Sequence, residues 1–211
     1  QLVGENGWSK CTLVDGDRIF GDYNEGGVRG KNPYILDRFD LEYMKQFDFV
    51  HTGNYCYTES QLKTMKEAGI KVSFDFSDDS SRDYYEKYAP FVTYAFCSFN
   101  GDDEAAKEHL RFVHSLGPEL VSLTRGSKGC LMYDGEEFYV QPATMIEHVV
   151  DTMGAGDSFL TSFMDCYIDQ VKRGADKPEA IRISLAEASK FAAHVCTLDG
   201  AFGYGKPYED K

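Results

Sequence analysis

From residue 40 onward the apolar positions follow two alternating rhythms, one helical and one nearly continuous. Leu41, Tyr43, Met44 and Phe47 share one helical face, and Phe49-Val50-His51 then reads as a short strand ending near Gly53. Thr58-Glu59-Ser60-Gln61 has the pattern of a capping box that opens a helix stopping at Gly69. A strand over 71–76 follows, then a helix at 84–88 and a strand over 93–99. A helix over 102–116 closes on Gly117-Pro118 and leads into a strand over 119–124. Strands this apolar, each followed by a helix, predict a mostly parallel sheet covered on both faces, a three-layer α/β/α fold. Ligands in such folds gather at the carboxyl ends of the strands.

The two ends of the chain depart from that rhythm. Residues 10–23 alternate around Asp15-Gly16 and predict a β-hairpin with Cys11, Leu13, Ile19 and Phe20 as packing residues. Residues 21–32 are Gly-rich and polar, a mobile connection or a plain linker. Short β segments over 129–133 and 137–141 pair around Asp134-Gly135. The tail reads as two long helices, 157–172 and 178 to about 197, the second with Asp176 as N-cap and Pro178 in its first turn. In the first, Phe159, Phe163 and Tyr167 with Leu160, Met164 and Ile168 form a core stripe. The expected division is a lid-like hairpin and connection over 1–32, followed by an α/β/α core over 33–211.

Length and charge narrow the classes of function. A chain of 211 residues buries a full core without staples. A net charge of -13 argues against nucleic acid and anionic membranes as partners, and any phosphate must be held locally, by backbone amides and Mg²⁺. Six scattered cysteines, with no C-x-x-C, read as reduced thiols of a cytoplasmic protein. No run of about 18 apolar residues and no basic-then-apolar start is present, so neither a span nor a leader is expected.

The candidate chemistry lies in Asp151-Thr152-Met153-Gly154-Ala155-Gly156-Asp157, just before the long apolar helix. Unpaired N–H groups at a helix start, helped by the helix dipole, favour negative charge. Gly154 and Gly156 permit positive φ and close approach of an oxyanion, while Asp157 is placed to accept a proton from an attacking hydroxyl. The plainer alternative is an Asp cap after a Gly turn.

This heptapeptide resembles the D-T-x-G-A-G-D signature of the ribokinase-like (phosphofructokinase-B) carbohydrate kinases, and Thr124-Arg125-Gly126-Ser127-Lys128-Gly129 resembles their T-x-G-x-x-G nucleotide loop. Asp17-Arg18-Ile19-Phe20-Gly21-Asp22-Tyr23 and Phe74-Asp75-Phe76-Ser77-Asp78 are most similar to the fructoselysine 6-kinase branch. The resemblance implies a ribokinase-like fold with a small β lid, and ATP-dependent phosphorylation of a sugar hydroxyl, fructoselysine or a related ketosamine at O6. A kinase for another sugar or a nucleoside, or a catalytically impaired nucleotide-binding fragment, are the alternatives. Carried onto this chain, Asp157 resembles the base, and the amides of Gly154, Ala155, Gly156 and Asp157 the anion hole. Thr124, Gly126 and Gly129 would line the nucleotide. Arg18 and Tyr23 are candidates to touch the sugar from the lid, or form an exposed face, and Asp75, with Asp78 at a strand end, is an active-site acid or a solvated loop carboxylate. Asp151 matches a position linked to a monovalent cation such as K⁺, with main-chain carbonyls near Gly200 as companions; a structural carboxylate is the equal alternative. A homodimer through the lid is a further expectation.

Two departures stand out. The family's N-x-x-E, which organises Mg²⁺ and phosphate, is replaced by Asn100-Gly101-Asp102-Asp103-Glu104, where Asn100 comes one residue early and Glu104 or Asp103 is the acid to expect, acting through water. An acidic helix N-terminus complementing the dipole explains the same residues. The family's early sugar-gripping Asp and G-G-N motif do not precede the hairpin, so the chain resembles a kinase lacking its N-terminal portion, with an exposed sheet edge and a half-built sugar pocket as the expected result.

Overall fold

The structure, a computed structural model, describes residues 3–14, 17–79 and 81–205. These fall into two compact units. The first joins the segment ending at Trp8 to Tyr23–Arg125 and Cys130–Val140; the second joins Ser9–Asp22 and Gly126–Gly129 to the chain from Gln141.

The first unit is built on a six-stranded sheet. Its strands are β3 (Val50–Gly53), β4 (Val72–Asp75), β5 (Tyr94–Ser98), β6 (Leu120–Thr124), β7 (Cys130–Tyr133) and β8 (Phe138–Gln141), and they lie side by side in that order. β3 to β6 are parallel, with Val50 opposite Val72, Phe74 opposite Ala95 and Ala95 opposite Val121, while β7 turns back antiparallel to β6. The mostly parallel sheet read from the sequence is thus present. Among the described residues β3 is an end strand. The core joins Leu62 and Met65 of α3 (Leu62–Glu67), Tyr85 of α4 (Arg82–Tyr88) and Leu110 and Val113 of α5 (Asp103–Ser115) to Val72, Phe74, Ala95, Val121 and Leu123 of the strands. Burying each such aliphatic side chain is worth about 1.5–3 kcal/mol, so this cluster dominates the unit's stability.

Local chemistry sets the helix starts. Asp102 caps α5 by accepting from the Ala105 N–H at 2.9 Å. α2 (Arg38–Met44) opens on a capping box in which Asp37 accepts from the Phe39 and Asp40 amides and Asp40 accepts from the Asp37 amide. The box expected at Thr58 does not form. Thr58 instead hydrogen-bonds Thr52 through the two hydroxyls at 2.6 Å, a 3-10 turn occupies Glu59–Gln61, and α3 starts only at Leu62.

The Gly-rich connection is no plain linker. It contains α1 (Gly27–Lys31), and a Cβ on Gly27, at φ 59°, would lie 2.3 Å from the Glu5 carbonyl. Trp8 and Asn24 exchange hydrogen bonds alongside it.

In the second unit, α6 (Ala155–Lys172) and α7 (Lys177–Val195) pack on each other, burying Phe159, Phe163, Met164 and Tyr167 from one and Ile181, Leu185 and Ala188 from the other. Asp176 caps α7 by accepting from the Glu179 amide at 2.8 Å. The hairpin strands β1 (Ser9–Val14) and β2 (Asp17–Tyr23) pair with each other; the Asp15-Gly16 turn lies outside the described residues. Leu13, Ile19 and Phe20, expected to pack, are exposed, because a two-stranded ribbon has no second layer of its own. Among the described residues no helix is long and apolar enough to cross a membrane.

Candidate functional site

The turn that opens α6 is held by a buried carboxylate. Asp151 is wholly buried; its Oδ1 accepts from Arg18 Nε at 2.8 Å and from the Met153 amide at 2.9 Å. Its Oδ2 accepts from Arg18 Nη2 and from the Gly200 amide at 3.0 Å. Arg18 Nη1 also points at Cys11 Sγ, 2.8 Å away. The Arg18 hydrogen bonds, with the two backbone N–H groups, pull the Asp151 carboxyl down to about 2 against the opposing effect of burial. The same pairing raises the guanidinium further above its ordinary value.

Asp151 does not fit a monovalent cation. Both its oxygens face N–H donors, and a cation needs the acceptor capacity those donors consume.

Beyond Asp151 the chain reverses at Gly154, the N-cap of α6, with φ 76° and ψ 5°. A Cβ there would lie 2.7 Å from the Ala201 Cβ, so both conformation and space demand glycine. The Ala155 amide is taken by the Thr152 carbonyl at 3.2 Å, and Ser158 N–H bonds the Gly154 carbonyl at 2.9 Å. The Gly156 and Asp157 amides, which lie between them, remain as the donors of the first turn, among the described residues. Space beside Gly156 is open to beyond 4 Å, and the Asp157 carboxylate stands exposed in the same turn. The first turn of α6 thus offers two amides, the helix dipole and an exposed carboxylate, a set in which the amides can hold an oxyanion and the carboxylate can take a proton.

The second glycine loop follows β6. Thr124 ends that strand with its hydroxyl 3.3 Å from Ser98 Oγ. A 3-10 turn at Gly126–Lys128 is closed by the Gly129 amide on the Gly126 carbonyl at 3.0 Å. Gly126, at φ 54°, has nothing within 4 Å of a would-be Cβ, whereas a Cβ on Gly129 would meet the Gln141 carbonyl at 2.1 Å. Gly126 therefore leaves room for a ligand, and Gly129 serves the close packing of backbone.

The acidic candidates stand at the start of α5. Asp103 pairs with Arg125, a buried side chain that the motif reading passed over, and Glu104, exposed, pairs with Lys107 at 2.8 Å. Asp102 is the cap, as the dipole reading of this segment anticipates. Among the described residues no group of three His, Cys, Asp or Glu converges to cage a metal. Exposed carboxylates such as Asp103 and Glu104 fit an ion held mainly by phosphate and water, the habit of Mg²⁺.

The three sugar-site candidates lie in three different settings. Arg18 is committed to Asp151. Asp75 ends β4 and accepts from the Ser77 amide at 2.8 Å. Tyr23 lines an open recess of about 420 Å³ with Glu25, Lys31, Tyr55, Tyr57 and Glu59, at the carboxyl end of β3. The signal for this recess was present in the run Asn54-Tyr55-Cys56-Tyr57-Thr58-Glu59 directly after the strand ending at Gly53.

Comparison with known proteins places the chain. The pfkB family carbohydrate kinase model matches residues 16–201. The chain is 36% identical over 212 residues to the fructosamine kinase FrlD of Bacillus subtilis, a match covering 99% of this chain and 70% of the relative. It is 31% identical over 187 residues to the fructoselysine 6-kinase of Escherichia coli, covering 89% and 69%. A ribokinase structure from Giardia lamblia superposes with a TM-score of 0.73 at 18% identity, over 96% of this chain and 67% of that one, and the acarbose kinase Mak1 with 0.70 at 24%, over 90% and 62%. The fold is ribokinase-like, and with the family model spanning nearly the whole sequence, the chain belongs to the pfkB family of carbohydrate kinases, which are phosphotransferases.

Proposed function

We propose that this chain carries the nucleotide and phosphate-transfer end of an ATP-dependent kinase acting on a primary hydroxyl of a ketosamine, fructoselysine or a close relative at O6. The observation that carries the reading is the first turn of α6, where the Gly156 and Asp157 amides are not taken by backbone carbonyls among the described residues, a would-be Cβ on Gly156 meets nothing within 4 Å, and Asp157 is exposed. Phosphoryl transfer asks mainly for in-line positioning and neutralisation of charge on the moving oxygens. In this reading the two amides hold the transferring phosphoryl group, and Asp157 accepts the hydroxyl proton as the new P–O bond forms. Thr124 and Gly126 line the nucleotide. Asp103 or Glu104 would hold Mg²⁺ through water, and the ion would supply neutralisation of phosphate charge. The ketosamine class is supported by the names of the relatives, a fructosamine kinase and a fructoselysine 6-kinase.

The test is ATP-dependent phosphorylation of a panel containing fructoselysine, fructose, ribose and cytidine, with the product position read by ³¹P–¹H NMR and Asp157→Asn as control. Phosphate on O6 of fructoselysine, lost in the variant while nucleotide binding persists, is the expected result. Equal turnover by Asp157→Asn removes that residue from its role, and phosphate on another acceptor replaces the substrate.

A further inference from the structure

The recess at the end of β3 has a chemistry of its own. Three tyrosines, Tyr23, Tyr55 and Tyr57, surround it together with two carboxylates, Glu25 and Glu59, and one ammonium, Lys31. Its walls are fixed in unusual ways. Among the described residues three non-glycine residues have positive φ: Glu25 at 51°, Tyr57 at 56° and Ser77 at 56°. The first two line the recess. Left-handed backbone at a non-glycine residue is held only where surroundings over-determine it. Here the surroundings are visible: a Cβ on Gly26 would fall 2.1 Å from the Tyr57 ring, and one on Gly30 3.3 Å from it, so the ring lies flush against glycine backbone. Glu59 is held in turn by the Tyr84 hydroxyl, 3.1 Å from Oε1 and 2.9 Å from Asn54 Oδ1.

The field inside is negative. Burial first, then the neighbouring Tyr23, Glu25 and Glu59, push the Tyr57 hydroxyl above its ordinary value, and burial with Asp78 does the same at Tyr55. Carboxylates combined with aromatic faces favour a substituted ammonium, which gains both ion pairing and cation–π attraction. A net charge of -13 adds long-range attraction for a cation. Lys31 supplies the opposite sign at one wall, the complement of a carboxylate. A neutral sugar uses neither charge.

We infer that this recess binds the amine-bearing arm of the acceptor, an amino-acid group carrying ammonium and carboxylate, with Glu25 and Glu59 on the ammonium and Lys31 on the carboxylate. The inference rests on the ketosamine reading above and turns it into a specificity determinant. Fructoselysine ends in such an amino-acid group and free fructose has none, so selection for the arm is selection against free fructose.

The experiment compares kcat/KM for fructoselysine and for fructose in wild type, Glu25→Gln and Glu59→Gln, alongside calorimetric titration of fructoselysine without nucleotide. Losing one charge-assisted contact lowers the preference for fructoselysine about tenfold or more and weakens its binding in proportion. Glu25 is exposed, so its variant folds, and melting temperatures confirm that for both. Active variants with an unchanged preference overturn the inference and leave the kinase reading standing. Wild type that binds fructoselysine through Glu59 without phosphorylating it overturns the kinase reading and keeps the inference. Fructoselysine that does not bind to wild type overturns the inference outright.

Discussion

Arg18 and Asp151, 133 residues apart, form a two-pronged ion pair in which Nε donates to Oδ1 at 2.8 Å and Nη2 to Oδ2. Arg18 belongs to β2 and Asp151 to the turn that opens α6, so the hairpin is fastened to the segment bearing the two open amides. A planar guanidinium does this well because its forked N–H groups match a carboxylate in one orientation.

Removing Arg18 leaves the buried Asp151 carboxylate with only the Met153 and Gly200 amides to balance its charge. We expect Arg18→Ala to lower stability by about 3 kcal/mol, the low end for a buried pair because the arginine side chain is 20% exposed. Arg18→Lys recovers only part of this, since an ammonium cannot fork. Chemical denaturation measures both. The carboxyl is lowered on folding to about 2, so its contribution is present above the unfolded value of about 3.9 and is lost as pH falls toward 2. Over that window the wild type therefore loses more stability than Asp151→Asn, and equal slopes would show that the pair is not formed in solution.

The same geometry predicts the response to monovalent salt. With a guanidinium and two backbone N–H groups on the carboxylate, exchanging KCl for choline chloride at fixed ionic strength leaves melting temperature and turnover unchanged. A rise of either in K⁺ alone would mean that the ion displaces Arg18 from Asp151.

The thiols offer a test of the core. Cys97 and Cys130 are buried, and burial raises them to about 12 and about 11, with Cys97 bonded to the Ser122 carbonyl and Cys130 beside the Ser122 hydroxyl. Cys56 is exposed. Since the thiolate is the nucleophile, iodoacetamide near about pH 8 is expected to label Cys56 first and to reach Cys97 and Cys130 only after unfolding. Peptide mapping reads the order; early labelling of Cys97 would contradict this core.

The parallel strands were legible because β5, apolar at four of its five positions, can only lie between layers, and Val72 and Phe74 of β4 continue that pattern. The helix at residue 155 was legible to within two residues, since a Gly turn leads straight into the Phe159, Phe163 and Tyr167 stripe. Periodicity hid α1, because glycine, chosen there for close backbone approach, carries no apolar pattern. It misled at Thr58, whose hydroxyl found a partner across space in Thr52 rather than along the chain. The recess joins residues 23–31 to 54–59, and Arg18 meets Asp151 from far upstream; neither juxtaposition has a spacing to read.

Gly154 and Gly156, two residues apart, separate folding from chemistry. Gly154 has φ 76° and a would-be Cβ 2.7 Å from Ala201, so Gly154→Ala strains the backbone and pushes a neighbour, lowering stability by about 1–3 kcal/mol. Gly156 lies within α6, outside the positive-φ glycines, and nothing stands within 4 Å of its would-be Cβ. Gly156→Val is therefore free to fold, and helix propensity changes by only a few tenths of a kcal/mol, in valine's favour. Yet the new side chain would stand beside the open Gly156 amide, where the transferred phosphoryl group is proposed to rest. Losing such a donor costs about 10²–10³ in kcat, which a coupled assay resolves beside an unchanged melting temperature. Activity surviving in Gly156→Val would place the anion elsewhere, and a parallel fall in stability would reduce the turn to a structural role.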